Sequence, residues 1–233
     1  MRFHDQGLST GTGFIVEGKR GPYLVTNRHN VTGRRQDNDE LLSKHGGVPN
    51  TIRIFHNKAN QLGAWISRDE PLYDGEKPLW KEHPTLKHKA DFVALKLTSL
   101  QDVAIYPYKL SSPGPNILLS PADIVSVIGF PFGIAAGGLF AVWATGFLAS
   151  EPEIDYDDMP IQLIDCRSRP GQSGSPVVAY RSGGAVALDN GTTAMFAEPV
   201  SSLIGIYSGR INAESDLGIV WKSSAVKQLI DGL

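Results

Sequence analysis

Ile164-Asp165-Cys166-Arg167-Ser168-Arg169-Pro170-Gly171-Gln172-Ser173-Gly174-Ser175-Pro176-Val177-Val178 is the most informative stretch of the chain. A serine with glycine two residues before it and directly after it, then a proline and an apolar run, sits on a tight turn that opens a buried strand. Gly171 and Gly174 permit backbone conformations and close approaches that a side chain obstructs. Such a turn presents the Ser173 hydroxyl and aims the backbone N–H groups of Gly171 and Ser173 at one point. Two donors there stabilise the negative oxygen that develops in acyl transfer. The plain alternative for the segment alone is a glycine-rich β-turn whose serines are simply turn formers.

A hydroxyl is a weak nucleophile at neutral pH, so the first reading needs a base and a group that orients it. His29 stands immediately after the apolar run Tyr23 to Thr26, where a strand ends and a turn begins. The other histidines (His4, His45, His56, His83 and His88) lie in polar or mixed contexts without that signature. Asp91 opens Phe92-Val93-Ala94-Leu95-Lys96-Leu97, the strongest buried strand of the first half, and suits a partner for an imidazole N–H. Asp69 and Asp102 are weaker rivals. Taken singly, His29 reads as a structural or exposed histidine and Asp91 as a loop cap or ion-pair residue.

Around these segments the chain is punctuated by 25 glycines and 15 prolines, which calls for many turns between short elements. Strands are predicted at 13–16, 23–26, 51–55, 64–67, 92–97, 124–129, 139–148, 161–164, 176–180, 193–197 and 203–208, rich in Val, Ile, Phe and Tyr. Gly133 to Ala149 reads as two strands and a turn. Only the tail from Ser223 reads as a helix, with Ala225, Val226, Leu229 and Ile230 on one face. Without helical runs between the strands, a βαβ enzyme is excluded and the class is all-β. Two segments read as loops: Arg34 to Asn50, polar and mobile, and Glu151 to Asp158, a solvated acidic stretch without the spacing or central glycine of a calcium loop.

With 22 Lys and Arg against 24 Asp and Glu, the net charge of −2 argues against a nucleic-acid coat. Arg20, Arg28, Arg34 and Arg35 form a weak patch at best, diluted by Asp37 to Glu40. Cys166 is the only cysteine, so no internal disulfide is possible and a reducing compartment is expected. The N-terminal residues lack an apolar signal core and no run reaches a membrane span, so a soluble, cytoplasmic chain with no membrane partner is expected.

The three segments together resemble the trypsin-like, chymotrypsin-fold serine peptidase family, and within it the disulfide-free bacterial HtrA-like members, here without a PDZ domain. Gly11-Thr12-Gly13-Phe14 matches the family's opening strand, Leu24-Val25-Thr26-Asn27-Arg28-His29 its histidine block, and Pro170-Gly171-Gln172-Ser173-Gly174-Ser175-Pro176 its serine block. Asp91-Phe92-Val93-Ala94-Leu95 matches the aspartate block with one extra residue. The resemblance implies two six-stranded antiparallel β-barrels and a C-terminal helix, divided into residues 1–110 with His29 and Asp91 and residues 111–233 with Ser173. It implies a serine endopeptidase working through an acyl-enzyme. In that scheme His29 is base and then acid, Asp91 orients it, Ser173 is the nucleophile, and Gly171 and Ser173 form the oxyanion hole. It requires no cofactor or metal, and its partners are a protein or peptide substrate and a possible regulatory protein.

Tyr207, Ser208, Gly209 and Arg210 resemble the edge strand that pairs with a substrate backbone. Arg167 takes the position at the base of the first specificity pocket. It leaves open an acidic preference, aided by Arg210, or a small apolar one if the pocket is filled as in HtrA-like relatives. Gln172 replaces the aspartate that zymogen-activated relatives use, so activation by a new N-terminus is not expected. The alternative is a gated or inactive domain of the same fold that serves as a partner-activated or recognition module.

Overall fold

Alternating apolar positions, broken every few residues by glycine or proline, make short strands that bury one face and leave little chain for helices. The computed structural model describes residues 1–4, 6–43, 46–110, 116–212 and 214–233. His45, and with it Lys44 of the 34–50 loop, lies outside the described residues. The expected division between residues 110 and 111 adjoins 111–115, which also lie outside them.

In the second half, six antiparallel strands close into a barrel. Around the ring they are Ile124–Gly129, Val142–Leu148, Ile161–Asp165, Leu217–Lys222, Val200–Arg210 and Pro176–Arg181. Val125, Val127, Leu148, Ile164, Val177, Ala179 and Val220 point inward into one apolar cluster. Closure pairs every stave with two neighbours, so no whole strand is left as an edge to aggregate.

The first half is also antiparallel β, built among the described residues from two larger sheets and a small hairpin, Tyr73–Asp74 with Lys77–Pro78. In one, Phe14–Gly18, Gly21–Thr26, Val93–Lys96 and Lys81–Glu82 lie side by side. In the other, Thr51–Lys58 pairs with Trp65–Pro71, flanked by short strands at Arg2–Phe3, Gln6–Gly7 and Val103–Ala104. Leu24, Val31, Ile52, Leu72, Val93 and Leu95 fill the space between them.

A third apolar cluster joins the halves. Phe14, Val16, Val25 and Phe92 from the first lobe pack with Ile161, Ile206 and Trp221 of the barrel and with Ala225, Val226, Leu229 and Ile230 of the terminal helix Ser223–Asp231. The Phe92 and Trp221 rings meet at 5.6 Å. This shared core fixes the lobes against each other, so groups carried by different lobes meet in one geometry.

The all-β class, a closed barrel and the terminal helix agree with the sequence reading, and three local readings are corrected. His29 lies in a one-turn helix, Arg28–Thr32, closed by Gly33 at φ +67, whose N–H donates to the His29 carbonyl at 3.0 Å. Gly133 to Ala149 holds one strand; the residues before Val142 form a loop that begins with a helical turn at Pro131–Gly133. The stave Leu217–Lys222 was missed because Gly218 interrupts its apolar pattern. Its glycine is a packing requirement: a Cβ there would lie 2.7 Å from Cε2 of Tyr207.

Among the described residues no helix is long and apolar enough to cross a membrane. Three of the four arginines in the weak basic patch are ion-paired: Arg28 with Glu82 and Asp39, Arg34 with Asp39, and Arg35 with Asp37. Cys166 is buried and free, and burial pushes its thiol up to about 11. At pH 8 only about one thiol in a thousand is then ionised, and the thiolate is the reactive form. We expect Ellman's reagent to leave Cys166 untouched in the native protein and to titrate one thiol after denaturation.

Candidate active site

The strand Gly21–Thr26 ends at Asn27, and the helical turn that follows swings His29 toward Asp91, two residues before the neighbouring strand Val93–Lys96. Asp91 Oδ2 lies 2.7 Å from His29 Nδ1, and Asp91 Oδ1 accepts the His29 backbone N–H at 3.1 Å. Asn27, fully buried, donates its side-chain amide to the Asp91 carbonyl at 2.6 Å. The Ser208 hydroxyl donates to Asp91 Oδ2 from the other lobe. Asp91 is 2% exposed, and the His29 ring, the His29 backbone N–H and the Ser208 hydroxyl supply what its buried carboxylate needs in place of water.

Ser208 reaches Asp91 because its strand is bulged there. Tyr207 pairs with Val220 and Gly209 with Ile219, which leaves Ser208 as the extra residue. A bulge re-aims one side chain out of the alternation. The sequence reading put Ser208 among substrate-binding residues; its hydroxyl is a partner of Asp91, which leaves its backbone as the part that faces the open edge.

Ser173 is held by its main chain. Its carbonyl accepts the Thr12 N–H at 3.0 Å and the Asn30 side-chain amide at 3.2 Å. Its hydroxyl donates to the Ser208 carbonyl at 3.4 Å. Among the described residues no hydrogen bond joins that hydroxyl to the His29 ring, although both side chains line one cleft of about 320 Å³.

The turn before Ser173 is braced on every side. The Pro170 carbonyl accepts the Phe132 N–H at 2.6 Å, and the Gly171 carbonyl accepts the Thr12 hydroxyl at 2.8 Å. Gln172, fully buried, accepts the Arg169 N–H on its side-chain oxygen at 2.7 Å and returns its own N–H to the Arg169 carbonyl at 3.2 Å. Because the peptide is planar and trans, anchoring the Pro170 carbonyl on Phe132 turns the Gly171 N–H the opposite way. Neither the Gly171 nor the Ser173 N–H has an acceptor among the described residues. Gly171 (φ +95) and Gly174 (φ +89) are in the left-handed region, and a Cβ on either would strike a carbonyl oxygen, of Phe130 at 2.4 Å or of Thr12 at 2.1 Å.

Arg167 is exposed between buried Cys166 and buried Ser168, so it stands on the outside and Ser168 faces inward. The Ser168 hydroxyl is hydrogen-bonded to the Tyr207 phenol, and both residues are buried. The strand Val200–Arg210 pairs with Pro176–Arg181 up to Ile206 and with Leu217–Lys222 from Gly205 onward, so it loses its neighbour on the Ser173 side only beyond Tyr207. Ser208, Gly209 and Arg210 therefore offer a short free edge, not a whole edge strand. Thr12, Asn27, Asn30 and Ser168 were not singled out from sequence, and their only signal is adjacency: each lies within five residues of His29, Ser173 or the Gly11–Phe14 motif.

An all-β scaffold that gathers a buried aspartate, a histidine and a turn-borne serine at one cleft defines a class before any comparison is made. Residues 11–188 match the family described as trypsin-like peptidase domain, and the chain belongs to that family. No curated protein matches the sequence. Solved structures similar to it include an inactive form of Rv3671c from M. tuberculosis H37Rv with a serine-to-alanine change. That chain is 18% identical with a TM-score of 0.46, over 95% of this chain and 80% of the other. The active form of the Rv3671c protease from M. tuberculosis is 17% identical with a TM-score of 0.45, over 94% and 71%.

Proposed function

We propose that this member of the peptidase family is a serine endopeptidase, with Ser173 as nucleophile, His29 as general base and then acid, and Asp91 as the group that orients the imidazole. The observation that carries the reading is the Asp91–His29 pair at 2.7 Å, opening on the cleft that Ser173 also lines. In this reading the Ser173 hydroxyl leaves the Ser208 carbonyl, which it meets at 3.4 Å, for Nε2 of His29. Its oxygen attacks the scissile carbonyl while Nε2 takes the proton, and Asp91 stabilises the imidazolium from the Nδ1 side. The unpaired N–H groups of Gly171 and Ser173 receive the oxyanion. Collapse expels the amine with the proton from His29, and water activated by the same ring releases the acid from the Ser173 ester. The acyl portion of the substrate pairs along Ser208 to Arg210.

The test is labelling by a fluorophosphonate, with Ser173→Ala as the blank and His29→Ala beside it. Labelling of the wild type that is lost in both variants is the expected result. A wild type that stays unlabelled favours the gated or inactive domain of this fold.

A further inference from the structure

The concavity at Ser173 lies on the leaving-group side. Its lining includes His29, Gly171 and Ser173 together with the apolar side chains of Leu8, Leu42 and Pro49, and it includes no residue of the 207–210 strand. His29 is the group that hands a proton to the departing nitrogen, so the residues that follow the scissile bond leave over this cleft. Apart from His29, the described residues that line it carry no ionisable side chain. Leu42 is held over it through its backbone, which donates to the Gly33 carbonyl at 2.8 Å.

The acyl side is the reverse. A substrate whose carbonyl sits at Gly171 and Ser173, and whose backbone runs along Ser208 to Arg210, directs its last acyl side chain between the 167–172 segment and Tyr207. That gap is filled. Tyr207 is 3% exposed and Ser168 is fully buried, their hydroxyls are bonded to each other, and the phenol ring lies directly on Gly218.

We infer that this chain selects its cleavage site chiefly from the leaving-group side: Tyr207 and Ser168 close the acyl-side pocket to all but the smallest side chains, and the cleft under Leu42 takes an apolar residue just after the scissile bond. The inference rests on the serine-peptidase reading above. It makes Tyr207 the residue that excludes and Leu42 the residue that recruits, and it gives Leu42 and Pro49 a part in specificity that the polar sequence around them conceals.

The experiment is cleavage of a diverse peptide library, read by mass spectrometry, run beside fluorophosphonate labelling of the same preparations. Wild type is expected to cut after Gly, Ala or Ser and before apolar residues. Leu42→Glu, at a partly exposed position that leaves the core intact, is expected to lower cutting before apolar residues about tenfold, in the range that small changes of apolar pocket contact produce. Its preference for small residues before the cut is expected to persist. Tyr207→Ala is expected to admit larger side chains before the cut, and Tyr207→Phe, which keeps the ring, to retain the wild-type profile.

Frequent wild-type cutting after large side chains, or a Leu42→Glu profile unchanged after the cut, overturns the inference. A wild type that labels at Ser173 yet cuts nothing in the library also overturns it and leaves the serine chemistry standing. One that neither labels nor cuts overturns both.

Discussion

Asp91→Asn is expected to lower kcat on a peptide substrate about 10⁴-fold, the scale set by losing the correct imidazole tautomer in a site of this geometry. Asp91 accepts at Oδ2 from two directions, the His29 ring and the Ser208 hydroxyl, and at Oδ1 from the His29 backbone. An asparagine keeps the volume but must place its NH₂ at one of these sites. At Oδ2 it faces the ring as a donor, which forces the ring proton onto Nε2 and leaves nothing to accept the proton of Ser173. At Oδ1 it opposes the His29 N–H and loosens the turn that carries the ring. The variant should fold, because packing around residue 91 is unchanged, so thermal melting separates this effect from unfolding. A folded variant with kcat within tenfold of wild type would remove Asp91 from the proposed machinery.

The second large effect concerns Gly174→Ala. The added methyl would stand 2.1 Å from the Thr12 carbonyl oxygen and 2.7 Å from the Thr26 hydroxyl, at a φ of +89 that L side chains rarely adopt. Thr12 cannot yield cheaply: its N–H holds the Ser173 carbonyl, its hydroxyl holds Gly171, and its carbonyl accepts Thr26. Backbone strain and overpacking together predict a loss of about 3–5 kcal/mol, which lowers Tm by roughly 6–20 °C in a chain of this size. Displacing Thr12 also unpins the turn that aims Gly171 and Ser173, so fluorophosphonate labelling should be lost even below the melting point. Gly191→Ala is the control. Its φ is +81 with nothing within 4 Å of the added carbon, so only strain remains, about 1 kcal/mol. Equal melting temperatures for the two variants would show that the contact with Thr12 is not what requires glycine.

Much of this arrangement was legible in the chain because local chemistry repeats locally. Apolar alternation and glycine punctuation specify strands wherever one face is buried, and the reading of Ile124–Gly129 as a strand needed nothing more. The tail helix announced itself through four apolar residues on one face, all of which are buried. His29, Asp91 and Ser173 were visible because each stands beside a strand end, the usual perch for a side chain that must reach a cleft.

Other features were illegible because their causes lie far away in sequence. Nothing near Ser208 indicates that a bulge opposite Ile219 turns its hydroxyl to an aspartate 117 residues earlier. Arg167 and Ser168 are neighbours, and which of them faces the barrel depends on the register of the adjoining strands. The 34–50 stretch is polar and read as a mobile loop, yet Leu42 and Pro49 wall the cleft once Gly33 folds the chain back.

The sequence by itself determined the all-β class and the family and nominated His29, Asp91 and Ser173 as candidates, since composition, periodicity and short motifs are properties of neighbouring residues. Tertiary structure alone decided that Ser168 and Tyr207 are buried against each other, which cleft stays open beside Ser173 and how the two lobes are pinned through Thr12. Those outcomes depend on register and on contacts between residues distant in the chain, which no local pattern encodes.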